Sequence, residues 1–318
     1  AMEDEIHQIC PIAYWHVWDN YPSPAYNEDY YRSTDLINCH SYLTYEIVKE
    51  KFPERTNFIP HALPDNLFYP MEDNDIKHAK QKMLGYDKKD NFVLFWVNRN
   101  AKRKRPSDVL AAWKKFLDKL TPHQKNKTTL LMHTDPHDQE GPNLLAVSDM
   151  LGITNSVIFS NERVDFEVMN TMHNISDACI NIAYAEGFGL ATLESMQVAN
   201  PIIVAKTGGL TRQVIDHRDG TENGIGLDIK TKTLVGSQSV PYIYEDYVCL
   251  DDTADAIYKL YSMSSNERKA LGIKAREYVM SEFSMQTTID MWHESLLKLS
   301  NNWKAGERVV PRYSITEL

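Results

Sequence analysis

The chain has 318 residues, 42% of them hydrophobic and 25% charged, and a formal net charge of −10. This length accommodates one large domain or two ordinary ones. The acidic balance argues against general nucleic-acid binding, which needs a basic face. The sequence has no apolar run of the ~20 residues that span a bilayer and no secretory signal pattern. Four separated cysteines predict buried thiols in a reducing compartment, so we expect a cytoplasmic protein, with peripheral membrane contact left open.

The first 70 residues are rich in aromatic residues and proline. Residues 41–51 have helical spacing of their apolar side chains. Apolar runs predict three short strands, at residues 9–18, 36–39 and 57–60. A polar stretch at residues 71–75 marks a natural boundary.

From residue 76 onward, helical and strand-like segments alternate. Helical spacing occurs at residues 76–84 and 107–120, and residues 254–299 are almost entirely helical. Buried strands are predicted at residues 92–97, 129–133, 157–159, 179–183 and 202–205. This alternation is typical of an α/β domain whose parallel sheet is covered by helices on both faces. Ligands of such sheets bind beyond the carboxyl ends of the strands.

The most informative segment, residues 185–194, follows the predicted strand at 179–183 and leads into a helix. Two glycines at this turn allow the backbone to approach a ligand, and the first helical amides then face an anion. Carboxylates flank the turn, so one can reach sugar hydroxyls while the other binds a ribose. The predicted ligand-binding residues are Glu186, Gly187, Phe188, Gly189, Leu190 and Glu194. A dinucleotide fingerprint is absent, because Thr192 stands where its third glycine would be.

Two further segments follow strands at the same edge of the sheet. Residues 98–106 contain Arg99 and Lys104, whose charges can stabilise a departing diphosphate. Residues 206–210 contain the pair Gly208 and Gly209, which again allows backbone close to a ligand. Solvated loops are the alternative interpretation of both segments.

Taken together, these segments resemble retaining glycosyltransferases of family 4, which have the GT-B fold of two facing Rossmann-like domains. Glu186 and Glu194 match the paired glutamates of that family, Arg99 and Lys104 match its diphosphate-binding residues, and residues 66–70 resemble its interdomain linker. The amino-acid sequence of the basic segment is similar to that of members from large DNA viruses that use GDP-mannose.

This resemblance implies transfer of a mannose- or glucose-type hexose from a GDP- or UDP-sugar to a glycan or other hydroxyl acceptor. Glu186, Arg99 and Lys104 would be catalytic, with His16 as the amino-domain histidine facing the sugar. The nucleotide base would rest near Arg163 and Val164. No cofactor and no essential metal are expected, and the histidines at 133 and 137 are interpreted as loop residues.

The resemblance also predicts three regions: a short, partial acceptor-side domain at residues 1–70, a nucleotide-sugar-binding domain at 71–290, and a helix end and tail at 291–318 that pack toward the first domain. The short first region leaves open a homodimer, or a partner that supplies the rest of the acceptor side. A nucleotide-sugar-binding half or non-catalytic module therefore remains the alternative to an enzyme. The main alternative among enzymes is a glycogen-phosphorylase-like or epimerase-like GT-B protein that acts on nucleotide sugars, and a NAD-dependent dehydrogenase is a weaker one.

Overall fold

The computed structural model describes residues 2–308 and contains two parallel sheets and one antiparallel hairpin in that range. The smaller sheet has three strands in the order β1-β2-β3: β1 (Ala13–His16), β2 (Leu36–Cys39) and β3 (Thr56–Phe58). Three helices accompany these strands: α1 (Glu3–Ile9), α2 (Glu28–Arg32) and α3 (Tyr42–Lys49). A separate apolar cluster holds this segment together, comprising Tyr31, Ile37, Cys39, Val48 and Phe52.

The prediction of one strand over residues 9–18 was wrong at its beginning. Ile9 is the last residue of α1, and the strand begins only at Ala13. Pro11 lies between them, and a proline disfavours helical backbone at the residue before it, where Cys10 is extended. The helix predicted over residues 41–51 is α3, which Ser41 caps by accepting a hydrogen bond from the Thr44 amide at 3.1 Å.

The larger sheet has six parallel strands in the order β6-β5-β4-β7-β8-β9. Its strands are β4 (Phe92–Val97), β5 (Thr128–His133), β6 (Val157–Ser160), β7 (Ala178–Asn181), β8 (Ile202–Ala205) and β9 (Ile225–Leu227). The strand order reverses between β4 and β7, because the chain adds β5 and β6 on one side of β4 and then crosses to the other. Ligands of such sheets bind at this reversal, outside the carboxyl ends of the strands.

Helices cover both faces of the six-stranded sheet. They are α4 (Asp73–Leu84), α5 (Pro106–Asp118), α6 (Pro122–Lys125), α7 (Leu144–Met150), α8 (Phe166–Asn174), α9 (Leu190–Gln197) and α10 (Gly208–Val214). Alternate residues of β4 point to opposite faces, so Leu94 and Trp96 pack with Trp113 of α5, whereas Val93 and Phe95 pack with Met172 of α8. The predicted α/β class with a helix-covered parallel sheet is confirmed.

A hairpin that the sequence pattern did not predict follows β9. Its strands are β10 (Thr231–Val235) and β11 (Ile243–Tyr247), which pair in antiparallel register from Thr231 opposite Tyr247 to Val235 opposite Ile243. Three helices complete the described chain: α11 (Leu250–Ser262), α12 (Ser265–Glu282) and α13 (Met285–Ala305).

The last helix returns to the amino-terminal sheet. On α13, Ser295 lies 3.2 Å from Asn38 and 3.3 Å from Asn57, measured between side-chain polar atoms. Residues 309–318 of the predicted tail lie outside the described residues. None of the helices within residues 2–308 combines the length and apolar character needed to cross a membrane.

Candidate functional site

Glu186 lies in the loop that follows β7, at the strand-order reversal. The residue is only 7% exposed, and its carboxylate forms an ion pair with the Lys104 ammonium group. The Asn181 side-chain amide lies 3.4 Å from the same carboxylate. Lys104 belongs to the loop after β4, so the two strands that flank the reversal bring these opposite charges together, as the sequence predicted for the two loops.

Both predicted glycine turns lie directly against this carboxylate loop. The Gly209 amide donates a hydrogen bond to the Glu186 carbonyl oxygen at 2.9 Å. Gly208 has φ +48°, and a Cβ placed on it would overlap the Glu186 carbonyl oxygen. Gly189 has φ +96° at the start of α9, where a Cβ would come within 2.5 Å of the Leu210 side chain beside the second glycine turn. Side chains would therefore force the two turns apart.

A glutamine that the sequence analysis did not single out braces these turns. The Gln213 amide nitrogen donates to the carbonyl oxygens of Phe188 at 2.8 Å and Gly189 at 3.0 Å. Its oxygen accepts a hydrogen bond from Thr192 at 2.6 Å. Because Gln213 is fully buried, these bonds fix the shape of the loop before any ligand arrives.

The cationic side chains of the basic loop after β4 contact two different parts of the molecule. Arg103 donates to the Ala185 carbonyl oxygen at 2.7 Å and lies 3.5 Å from the Asp19 carboxylate. Arg99, predicted to share the diphosphate with Lys104, is instead 60% exposed and pairs with Asp138 at 2.7 Å and Glu140 at 3.0 Å. The structure thus brings Lys104 and Arg103 to Glu186, and it directs Arg99 toward an acidic loop.

Glu194 of α9 opens onto a second part of the same edge. Its carboxylate lies 3.0 Å from the buried ring nitrogen Nε2 of His173. A cleft of about 590 Å³ lies beside it, lined by Glu194, Arg163, Val164, Val97 and Phe68, among others. The structure therefore places the predicted ribose-binding carboxylate and the predicted base-binding residues in one cleft.

His16 does not face this edge. It is 2% exposed, and its Nε2 atom lies 2.7 Å from the Tyr31 hydroxyl within the amino-terminal core. Burial lowers the pKa of His16 to about 4, so its ring is neutral near pH 7. The expectation that His16 faces the sugar does not fit this position: it is the last residue of β1, and its side chain alternates inward.

Two other histidines lie nearer the Glu186 loop. The His61 ring is 5.1 Å from the Phe188 ring, and the His40 ring is 6.4 Å from it, between centroids. Burial, with His61 and His16 nearby, lowers the pKa of His40 to about 3. Each follows a parallel strand, β2 or β3, and that position at a carboxyl strand end was the signal in the sequence that could have identified them.

Asp19 is a further residue that the sequence analysis did not single out. It follows β1, and a Cβ placed on Gly187 would come within 2.8 Å of its Oδ1 atom. Burial raises the pKa of Asp19, Arg103 opposes that rise, and Glu186 adds to it. The amino-terminal sheet therefore presents a carboxylate to the loop that carries Glu186.

Metal binding has no obvious ligand set in the part of the chain that the structure describes. Between residues 2 and 308, no three or more His, Cys, Asp or Glu side chains are grouped so that they could hold a metal ion. The interpretation of His133 as a loop residue was wrong, because it is the last residue of β5, where its Nδ1 atom lies 3.0 Å from the Ser160 hydroxyl oxygen. The expectation of a metal-independent reaction stays a prediction.

Comparison with known sequences points to one enzyme group. The model of the family "Glycosyl transferases group 1" matches residues 77–228. The D-inositol 3-phosphate glycosyltransferase of Acidothermus cellulolyticus is 28% identical over 179 residues, which are 55% of this chain and 38% of that protein. Its namesake from Corynebacterium jeikeium is 24% identical over 250 residues, 79% of this chain and 53% of that protein. The chain thus spans about a third to a half of the length of these relatives.

Solved structures show the same fold at low sequence identity. Anabaena HepE, in complex with UDP and glucose, has a TM-score of 0.69 at 17% identity, over 90% of this chain and 71% of that one. Sucrose-phosphate synthase from Thermosynechococcus elongatus has a TM-score of 0.65 at 20% identity, over 84% of this chain and 58% of that one. These matches do not show the expected resemblance to members from large DNA viruses. Residues 77–228 therefore match the glycosyltransferase group 1 family, and the chain has a GT-B-like α/β fold.

Proposed function

We propose that this chain transfers a hexose from a nucleoside-diphosphate sugar to a hydroxyl group of a glycan acceptor, with retention at the anomeric carbon. The observation that carries the proposal is the ion pair of Lys104 and Glu186 beside two glycine turns. It combines a cation for a diphosphate, a carboxylate for sugar hydroxyls and close backbone approach, all at the sheet edge where ligands bind.

Each part of the donor has a matching part of the site. Lys104 and Arg103 would hold the diphosphate, together with the amides of Phe188–Leu190 at the start of α9. Glu186 would orient the transferred sugar. Glu194 would bind the ribose, and the base would occupy the cleft lined by Arg163 and Val164.

The chemical step would depend on positioning and charge. The acceptor hydroxyl attacks from the face that the diphosphate leaves, and a diphosphate oxygen takes the acceptor proton. The new glycosidic bond and the broken bond to the diphosphate then share one face, which retains the anomeric configuration. Glu186 is committed to Lys104, which favours an orienting role for it over attack as a nucleophile.

The donor base and sugar are the finer part of the proposal. The UDP and glucose bound to HepE favour a UDP-hexose. The amino-acid sequence of the basic loop, residues 98–106, favours GDP-mannose as the competing donor. Both have the diphosphate that Lys104 and Arg103 would bind, so the choice depends on the base cleft.

The alternative function is a donor-binding half that needs a second chain for transfer. The amino-terminal sheet has only three strands, and its edge strand β1 exposes Tyr14 at 39% and Trp15 at 50%. A partner strand could pair with this edge and complete an acceptor side. Transfer that requires an added partner chain, with donor binding by this chain alone, would favour this alternative.

Calorimetric titration with UDP, GDP, ADP, UDP-glucose and GDP-mannose tests the donor site. We expect one nucleotide to bind selectively, and Lys104→Ala and Glu194→Ala each to weaken it at least ten-fold, because each loses one charged contact. Lys114→Ala is the matched control, since Lys114 is a half-exposed lysine on α5 paired only with Asp118 in the described chain. Binding of no nucleotide by the parent, or parent-like binding by Lys104→Ala, would contradict the proposal.

The same titration assigns Arg99. Weaker binding by Arg99→Ala would show that Arg99 leaves Asp138 and Glu140 for the diphosphate. Parent-like binding by Arg99→Ala, with weaker binding by Arg103→Ala, would give that role to Arg103, which already lies beside Ala185 and Asp19.

A further inference from the structure

A second cavity, of about 580 Å³, adjoins the Glu186 loop at Ala185 and shares no lining residue with the base cleft. Three walls enclose it. The first wall is the segment after β1, with Val17, Trp18 and Asp19. The second wall is the basic loop, with Lys102 and Arg103, and the third is the β10–β11 hairpin. Tyr184 and Ala185 complete the lining. The roles proposed above for the donor leave this cavity without an occupant.

The hairpin lies just beyond residue 228, where the match to the glycosyltransferase group 1 model ends. Cross-strand partners share one face of a hairpin, as do residues two positions apart along a strand. Val235 lies opposite Ile243, and Glu245 is two residues further along. All three line the cavity, and so does Tyr244 between Ile243 and Glu245, whereas Leu234, the cross-strand partner of Tyr244, does not line it and is 59% exposed. The hairpin face that carries Val235, Ile243 and Glu245 therefore borders this cavity, and the Leu234 side chain lies outside it.

Hydrogen bonds hold the hairpin in place from both sides. The Tyr244 amide donates to the Tyr21 carbonyl oxygen at 2.7 Å, and the Asn20 side chain donates to the Tyr244 carbonyl oxygen at 3.1 Å. The Asp246 amide donates to the Tyr184 carbonyl oxygen at 2.8 Å. The wall is thus formed before a ligand binds, which reduces the ordering cost of recognition.

The polar groups of the cavity suit hydroxyl groups better than a charged ligand. Asp19 and Glu245 offer carboxylate oxygens, and the Tyr184 ring supplies a flat apolar surface with a hydroxyl. Lys102 and Arg103 balance the two carboxylates in formal charge, so the lining has no net charge. A phosphorylated ligand would need an excess of cations, which this lining does not provide.

We propose that this cavity is the acceptor subsite, that it takes a neutral polyhydroxylated ring such as a glycosyl residue, and that the β10–β11 hairpin is the wall that selects it. The inference rests on the proposed transferase function. Asp19 connects the two subsites, because it lines the cavity and its Oδ1 atom would lie 2.8 Å from a Cβ placed on Gly187, beside Glu186. An acceptor hydroxyl held by Asp19 would lie next to the sugar held by Glu186.

Ligand-detected NMR tests the subsite without requiring turnover. The probes are p-nitrophenyl α- and β-hexopyranosides and hexose 6-phosphates, each with and without saturating UDP or GDP. We expect neutral glycosides to receive saturation from the parent protein. Ile243→Trp, which fills the cavity, should reduce that signal at least ten-fold, while Leu234→Trp on the opposite face of the same strand pair should leave it within two-fold of the parent.

Nucleotide affinity, measured on the same variants by calorimetry, separates the two claims. Unchanged nucleotide affinity in Ile243→Trp, with loss of glycoside binding, supports the acceptor subsite. Glycoside binding that Ile243→Trp leaves intact would overturn it, as would binding of hexose phosphates alone or of no sugar probe at all. Failure of the parent to bind any nucleotide would instead contradict the proposed function, and glycoside binding without nucleotide would still report on the cavity.

Discussion

Gly208 occupies the narrowest point between the two glycine turns. A substitution at this residue therefore measures how tightly the turns pack. Its φ of +48° is left-handed, as is the φ of +75° at Gly220, but only Gly208 has a neighbour in the way of a Cβ. We expect Gly220→Ala to cost about 1 kcal/mol for backbone strain alone. Gly208→Ala should cost about 2–4 kcal/mol, because overlap with the Glu186 carbonyl oxygen adds to that strain.

Urea unfolding of both variants measures this difference, and nucleotide titration shows whether the Glu186 loop has moved. Equal destabilisation of the two variants would contradict the close packing of Gly208 against Glu186. Loss of nucleotide binding in Gly208→Ala alone would connect that packing to the donor site.

His16 predicts a pH dependence of stability. Its pKa is about 4 in the folded chain against an ordinary value of 6.5, so between these values the unfolded chain binds more protons. The contribution of neutral His16 to the free energy of unfolding is fully present above pH 6.5 and is lost as the pH falls toward 4. His16→Gln keeps a polar group for Tyr31 but cannot titrate. Between pH 7 and pH 5, the free energy of unfolding of this variant should therefore fall by about 2 kcal/mol less than that of the parent.

Urea unfolding at the two pH values measures that difference. His40 is present in both proteins, so its own contribution nearly cancels in the comparison. An equal loss of stability in parent and variant would show that His16 is protonated in the folded chain, contrary to its buried position.

At the scale of elements, the hairpin depends on one buried carboxylate. Asp246 is 2% exposed and accepts hydrogen bonds from the Thr207 hydroxyl at 2.7 Å and the Lys232 ammonium group at 2.8 Å. Asp246→Ala leaves both donors without this partner and should release the hairpin locally. We expect limited proteolysis within residues 236–242 to become at least ten-fold faster.

Asp228→Ala is the matched control, because Asp228 pairs with Lys206 near the start of the same hairpin but its side chain is 73% exposed. Faster cleavage in both variants would show that any lost charge loosens the segment. Slower or unchanged cleavage in Asp246→Ala would mean that the backbone hydrogen bonds of Tyr244 suffice to hold the hairpin in place.

For the whole molecule, β4 to β8 of the larger sheet could be predicted, because they are apolar runs separated by helical spacing. β9 was not predicted, because it has only three residues with a glycine at its centre. Leu94 and Trp96 pack on one face of β4 and Val93 and Phe95 on the other, so both faces demand apolar residues and leave a clear pattern. The carboxyl ends of those strands then located Glu186, Lys104 and the glycine turns. The sequence alone therefore indicated the edge of the sheet at which we propose that the donor binds.

What the pattern could not supply depends on contacts between distant residues. β10 is largely exposed, and Asp246 is the one buried residue of β11, so no apolar run marks the hairpin. Arg99 and Arg103 are similar in sequence context, but Arg99 pairs with Asp138 and Glu140. Arg103 instead contacts Asp19 and the Ala185 carbonyl oxygen, and neither set of partners could be identified from the sequence. His16 stood among aromatics that suggested a site, but strand alternation placed it inward, against Tyr31.

The attachment of β11 to the segment after β1 also governs how ligands enter and leave. Opening the cleft by separating these two elements breaks the hydrogen bond between Tyr244 and Tyr21 and the one between Asn20 and Tyr244. At a net ~1 kcal/mol for each bond, that separation is disfavoured roughly thirty-fold relative to a cleft without the attachment. The attachment thus shifts the equilibrium toward the closed arrangement. The Ala25 amide, which donates to the Tyr242 hydroxyl at 3.1 Å, adds a further link beside β11. Under the proposed function, release of the product through this side of the cleft would require all of these bonds to break.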